Sequence, residues 1–81
     1  MVHSVHTKRY QSLKQMLIDA RKASGLSQTE LAERLGRVQT FVSKYERGER
    51  RLDIIEFIDV ATALNLDAVK VLRKLQAMDD A

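Results

Sequence analysis

Glycine occurs at only three positions in this chain, 25, 36 and 48, and proline at none. That punctuation favours short helices joined by tight connections, because no stretch between the glycines alternates long enough to make a convincing strand. Ahead of Gly25, Leu13, Leu17 and Ala20 share one stripe with Met16 beside it, which predicts a first helix from about Tyr10 to Ala23. Ser27 is followed three residues later by Glu30, the spacing of a capping box. It opens a second helix through Leu31, Ala32 and Leu35 that Gly36 ends after about two turns. A third helix runs from near Gln39 to Arg47 and stops at Gly48. Asp53 caps a fourth, with Ile54, Phe57, Ile58, Ala61 and Leu64 at helical spacing and Asn65 as its left-handed closing residue; Asp67 caps a fifth, from Ala68 to about Met78.

The expected fold is all-α, a compact five-helix domain over residues 9–78 with flexible ends at 1–8 and 79–81. The 81 residues have room for one small domain and none for a separate ligand-sensing one, and their 44% hydrophobic content suffices for one core. Zero cysteines remove disulfides and cysteine metal sites, which suits a reducing compartment. No apolar run approaches the roughly 20 residues of a membrane span, and MVHSVHTKRY lacks the apolar segment of a signal peptide. The expectation is a soluble cytoplasmic protein with no membrane partner.

Charge is concentrated in one segment. Residues 37–51 carry Arg37, Lys44, Arg47, Arg50 and Arg51 against Glu46 and Glu49, a surplus equal to the chain's entire net charge of +3. On charge alone, a polyanion-binding surface and a merely solvated face both remain open. Projected as a helix, Val38, Phe41, Val42 and Tyr45 gather within about a 100° arc, the expected core face. Gln39, Thr40, Ser43, Lys44 and Arg47 fall opposite. Amide, hydroxyl and cationic side chains of this kind read base edges and phosphates, and none of the five is acidic.

The run GLSQTELAERLGRVQTFVSKYERGER, residues 25–50, resembles the helix-turn-helix of the Cro/C1-type repressors, the XRE family, with the family's spacing throughout. The similarity extends over roughly residues 10–75. It implies a lambda-repressor-like domain in which the third helix enters the major groove of double-stranded DNA and the second lies across it near the backbone. Carried over by position, Gln39, Thr40 and Lys44 match base readers, with Ser43 and Arg47 as weaker candidates for base or backbone contact. Gln28, in the first turn of the second helix, matches a phosphate contact. Arg50 and Arg51 either add phosphate contacts or are simply solvated, and Arg37 offers an extra cation from the turn. By resemblance, Glu46 pairs with Arg21 of the first helix; the alternative is two separate surface charges. Val38 departs from the family's usual Ser, Thr or Pro and cannot cap, a loss of about 1 kcal/mol. Phe41 also departs, and packing and a thymine-methyl contact are both open for it.

One recognition helix reads few base pairs, so a homodimer on a pseudo-palindromic site is expected. In the fifth helix Val69 and Leu72 are the expected core residues, and Val71, Leu75 and Met78 the expected dimer interface, unless these three complete the monomer core instead. An enzyme is not expected, since there is no cysteine, glycine-rich phosphate loop or carboxylate pair with an evident pocket. His3 and His6 do not make a metal site, and no cofactor is implied. The expected function is a transcriptional regulator, a repressor acting by steric competition and controlled by its own concentration, proteolysis or a partner. The rival is a protein-interaction module on the same scaffold, such as an antitoxin.

Overall fold

Every one of the five expected helices forms, in the expected order. The computed structural model describes residues 7–78, within which there is no strand. The helices are α1 Lys8–Ala23, α2 Gln28–Leu35, α3 Gln39–Glu46, α4 Ile54–Ala63 and α5 Ala68–Ala77. Thr7 caps α1 by accepting from the Tyr10 amide at 3.2 Å, so residues 7 and 8 belong to the folded part rather than to a loose end. The rest of the expected flexible ends, with His3 and His6, lies outside the described residues.

Local chemistry accounts for the helix boundaries. Ser27 and Glu30 form the reciprocal capping box, with bonds of 3.0 and 2.8 Å. Asp53 and Glu56 form a second one at 2.7 and 2.9 Å, and Asp67 accepts from the Lys70 amide at 3.1 Å. α1 to α4 all end alike, an amide two residues beyond α2 and three beyond α1, α3 and α4 reaching back to a carbonyl five residues earlier: Leu26 to Arg21, Arg37 to Ala32, Glu49 to Lys44, Leu66 to Ala61. The reversal needs a positive φ. Gly36 supplies 68° between α2 and α3, and Asn65 takes 54° after α4 as a non-glycine can.

The core is centred on Leu17, Leu31, Val42, Tyr45 and Val60, one or two from each of the first four helices. α3 packs against both α2 and α1, α4 against α2, and α5 closes the bundle against α1 and α4. Arg9 donates to the Met78 carbonyl at 2.8 Å, and the Tyr10 hydroxyl accepts from the Leu52 amide at 2.9 Å, pinning the loop before α4 to α1.

Two apolar stripes lie differently from expectation. In α4, Phe57, Val60, Ala61 and Leu64 are buried, while Ile54 and Ile58 sit on the exposed margin at 56% and 43%. In α5 the sides are exchanged: Val71 and Leu75 are buried and Met78 packs against them, whereas Val69 and Leu72 are 58% and 41% exposed. The expected dimer set of Val71, Leu75 and Met78 is therefore monomer core. Its row at i, i+4 and i+7 is the one that meets both α1 and α4, and periodicity alone cannot say which of two apolar rows finds the neighbours.

Candidate nucleic-acid interface

α3 begins without a side-chain cap. Val38, with φ −79° and ψ 154°, is an extended residue ahead of the helix and not a member of it, and it is 71% exposed instead of lying on the core face. Ser43 is corrected in the opposite sense. Because α3 contacts helices on two sides, its buried arc is about twice the expected width, and Ser43 is buried with its hydroxyl folded onto the Thr40 carbonyl at 3.3 Å. Gln39, Thr40, Lys44 and Arg47 remain on the open face.

Behind that face runs a continuous hydrogen-bonded chain. Arg21 Nε and Nη2 donate to the two oxygens of Glu46 at 2.7 and 3.1 Å, and Arg21 Nη1 to the Leu26 carbonyl at 2.8 Å. The ion pair expected by resemblance is present, with side chains only 12% and 6% exposed. Gln28 Nε2 donates to Glu46 Oε1 at 2.8 Å, and Gln39 Nε2 donates to Gln28 Oε1 at 2.8 Å. Gln28, expected by resemblance to meet a phosphate, thus holds a base-reading candidate. One amide hydrogen of Gln39 is occupied, which leaves its other hydrogen and its oxygen without a partner among the described residues, on an exposed side chain. A donor and an acceptor side by side are the pair that adenine N7 and N6 require.

A second cluster braces the other side of α3. Glu56 Oε1 and Oε2 accept from Arg50 Nη1 and Nη2 at 2.8 and 2.6 Å, and Arg37 Nη2 approaches at 3.4 Å. The Arg50 hydrogen bonds, then the Asp53 amide, hold the Glu56 carboxyl down at about 2. Both guanidinium groups also lie over the Phe41 ring, 4.3 Å from its centroid for Arg37 and 4.8 Å for Arg50. Phe41 is 7% exposed and meets the Tyr45 ring edge-on at 5.6 Å, so packing and not groove contact is its role. Arg37 and Arg50, expected to meet phosphates, are engaged in this cluster. Sequence reasoning missed Glu56, although Asp53-Ile-Ile-Glu56 repeats the capping-box spacing one residue after two arginines.

The remaining cations are more open. Arg47 pairs with Glu49 at 2.7 Å, both more than half exposed, so the pair is weak and screened by salt. Arg51 lies over the Tyr10 ring at 4.9 Å, and Lys44 is exposed on the open face of α3. Among the described residues no group of acidic or histidine side chains is placed to hold a metal, and no helix is long and apolar enough to cross a membrane.

The chain matches the helix-turn-helix family over residues 17–71. It is 41% identical over 61 residues to an uncharacterized HTH-type transcriptional regulator, y4dL, of Sinorhizobium fredii. That match covers 75% of this chain but 31% of that protein, so the chain spans about a third of its relative. An XRE-family like protein from Pseudomonas syringae pv. tomato superposes with a TM-score of 0.83 at 53% identity, covering 91% of this chain and 92% of that one. The restriction-modification controller protein C.AhdI from Aeromonas hydrophila superposes with a TM-score of 0.68 at 33% identity, over 74% and 87%. The chain belongs to the XRE-type helix-turn-helix family of transcription regulators, which is not an enzyme family.

Proposed function

We propose that this chain is a sequence-specific double-stranded DNA-binding regulator that acts as a homodimeric repressor on a pseudo-palindromic operator. The observation that carries this reading is the Arg21–Glu46–Gln28–Gln39 chain, which presents the Gln39 amide with one donor and one acceptor free. In it, α3 enters the major groove, Gln39 reads an adenine, and Thr40 and Lys44 reach neighbouring base edges. The α2 N-terminus with Gln28, together with Arg47 and Arg51, approaches phosphates; Arg37 and Arg50 add positive field from their places on Phe41. Ser43, folded onto the backbone, takes no part in base contact. The complex forms in the cytoplasm, and occupancy excludes polymerase.

Two half-sites about 34 Å apart need two copies. Of the apolar residues left exposed on α4 and α5, Ile54, Ile58, Val69 and Leu72 supply the surface for a second copy, with Ile54 and Leu72 lining one shallow groove beside Leu13 and Phe57. Sedimentation of Leu72→Glu tests this: half the wild-type mass is expected, and an unchanged mass would refute that surface. For DNA binding, in vitro selection from random duplexes is expected to enrich a two-fold symmetric site that Gln39→Ala no longer prefers. Failure to enrich any duplex would favour the protein-interaction module instead.

A further inference from the structure

Val38 is the most exposed large apolar side chain among the described residues, and it stands where α3 should be capped. Side chains cap the other four helices: Thr7, Ser27, Asp53 and Asp67 each accept from an amide of the first turn. The one helix that forgoes this stabilisation is the one whose N-terminal end carries the reading residues Gln39 and Thr40. A local rule broken at a single exposed position marks a site under functional demand.

The chemistry of the side chain narrows what that demand is. Valine offers no donor, acceptor or charge, so it contributes nothing to a phosphate or a polar base edge. Its branched Cβ restricts rotation, so the two methyls are held in place at little entropic cost. In the major groove the one apolar group on unmodified bases is the 5-methyl of thymine. We propose that Val38 is a specificity-determining residue that packs against a thymine methyl at the edge of each half-site, beside the base pair read by Gln39. This rests on the DNA-binding function proposed above.

The test uses the duplex enriched by in vitro selection with the full chain. Each thymine is replaced in turn by deoxyuridine, which removes only the methyl, and binding is titrated for wild type, Val38→Ala and Val38→Ser. One replacement is expected to weaken wild type about fourfold, the worth of one buried methyl-sized group, and to leave both variants unaffected. Val38→Ser regains a cap and is expected to melt about 4 to 8 °C higher, whereas Val38→Ala gains nothing. Loss of methyl discrimination in both variants, despite their different stabilities, separates base reading from capping. The proposal is overturned if no thymine distinguishes wild type from Val38→Ala, or if the enriched duplex has no thymine at that edge. Enrichment of no duplex at all overturns the proposed DNA binding, and this with it.

Discussion

Glu46, the last residue of α3, and Glu56, in α4, anchor α3 on opposite sides, each gathering several donors on one carboxylate, yet they serve different ends. Glu46 is the more enclosed, with Arg21 as its ion-pair partner, and through Gln28 it leads to Gln39 on the open face. Glu56 holds Arg37 and Arg50, whose side chains are 43% and 36% exposed, and leads inward to the start of α4 and to Phe41. Both clusters hold the recognition helix in place. Only the Glu46 cluster also holds Gln39, the proposed reading residue, so damage to it should cost base preference beyond what it costs folding, while loss of Glu56 itself should cost folding and leave base preference in place.

The largest expected effect follows from Glu46→Ala, which strands a largely buried Arg21 guanidinium. Urea unfolding should show a loss of about 3 kcal/mol, and the cycle with Arg21→Ala should be non-additive. Simple additivity would mean that the pair contributes nothing jointly. Glu56→Gln keeps a side chain able to complete the capping box and loses only the charge. About 1 kcal/mol is expected at pH 7, discounted because both arginines are more than a third exposed. Here the dependence on pH is more diagnostic than the size. The folded carboxyl lies at about 2 against an ordinary 4.5, so its contribution is complete above 4.5 and disappears as pH falls towards 2. The stability gap between wild type and Glu56→Gln should therefore close over that window, and a constant gap would argue against the pairing.

Smaller effects sharpen the contrast. Tyr45 lies between the clusters with its hydroxyl buried and without a hydrogen-bond partner among the described residues. Burial, first of all, pushes its ionisation well above the usual tyrosine range. Tyr45→Phe should leave stability unchanged or raise it by less than about 1 kcal/mol in thermal melts, and a clear loss would reveal a bonded hydroxyl. Arg51→Ala should leave the fold intact and make the salt dependence of DNA affinity shallower by about one unit of slope.

Helix ends were the most legible part of this chain, because caps and left-handed closures are local chemistry: Ser27 with Glu30, Asp53, Gly36, Asn65 and Asp67 act on their own neighbours. The site was legible where resemblance supplied long-range information, as for Arg21 with Glu46, which lie 25 residues apart. Periodicity failed where a decision needed a third body. In α5 it found two apolar rows and exchanged them, since only the positions of α1 and α4 distinguish Val71 and Leu75 from Val69 and Leu72. It failed at Val38 because a wheel does not apply to a residue with extended backbone. The roles of Gln28 and Glu56 were hidden because each serves several partners, most of them on other helices or loops where sequence spacing says nothing.

The coupling of Gln28 to Gln39 is measured most directly by a double-mutant cycle in DNA affinity. Wild type, Gln28→Ala, Gln39→Ala and the double variant would be titrated against the selected operator and against the same duplex with the adenine pair replaced. Gln39→Ala should weaken operator binding about 10- to 100-fold and abolish the preference for that adenine. Gln28→Ala should lose much of the same preference while folding normally, and the double variant should lose no more preference than Gln39→Ala alone. Preference retained in full by Gln28→Ala, or independent losses in the double variant, would contradict a reading residue held from behind.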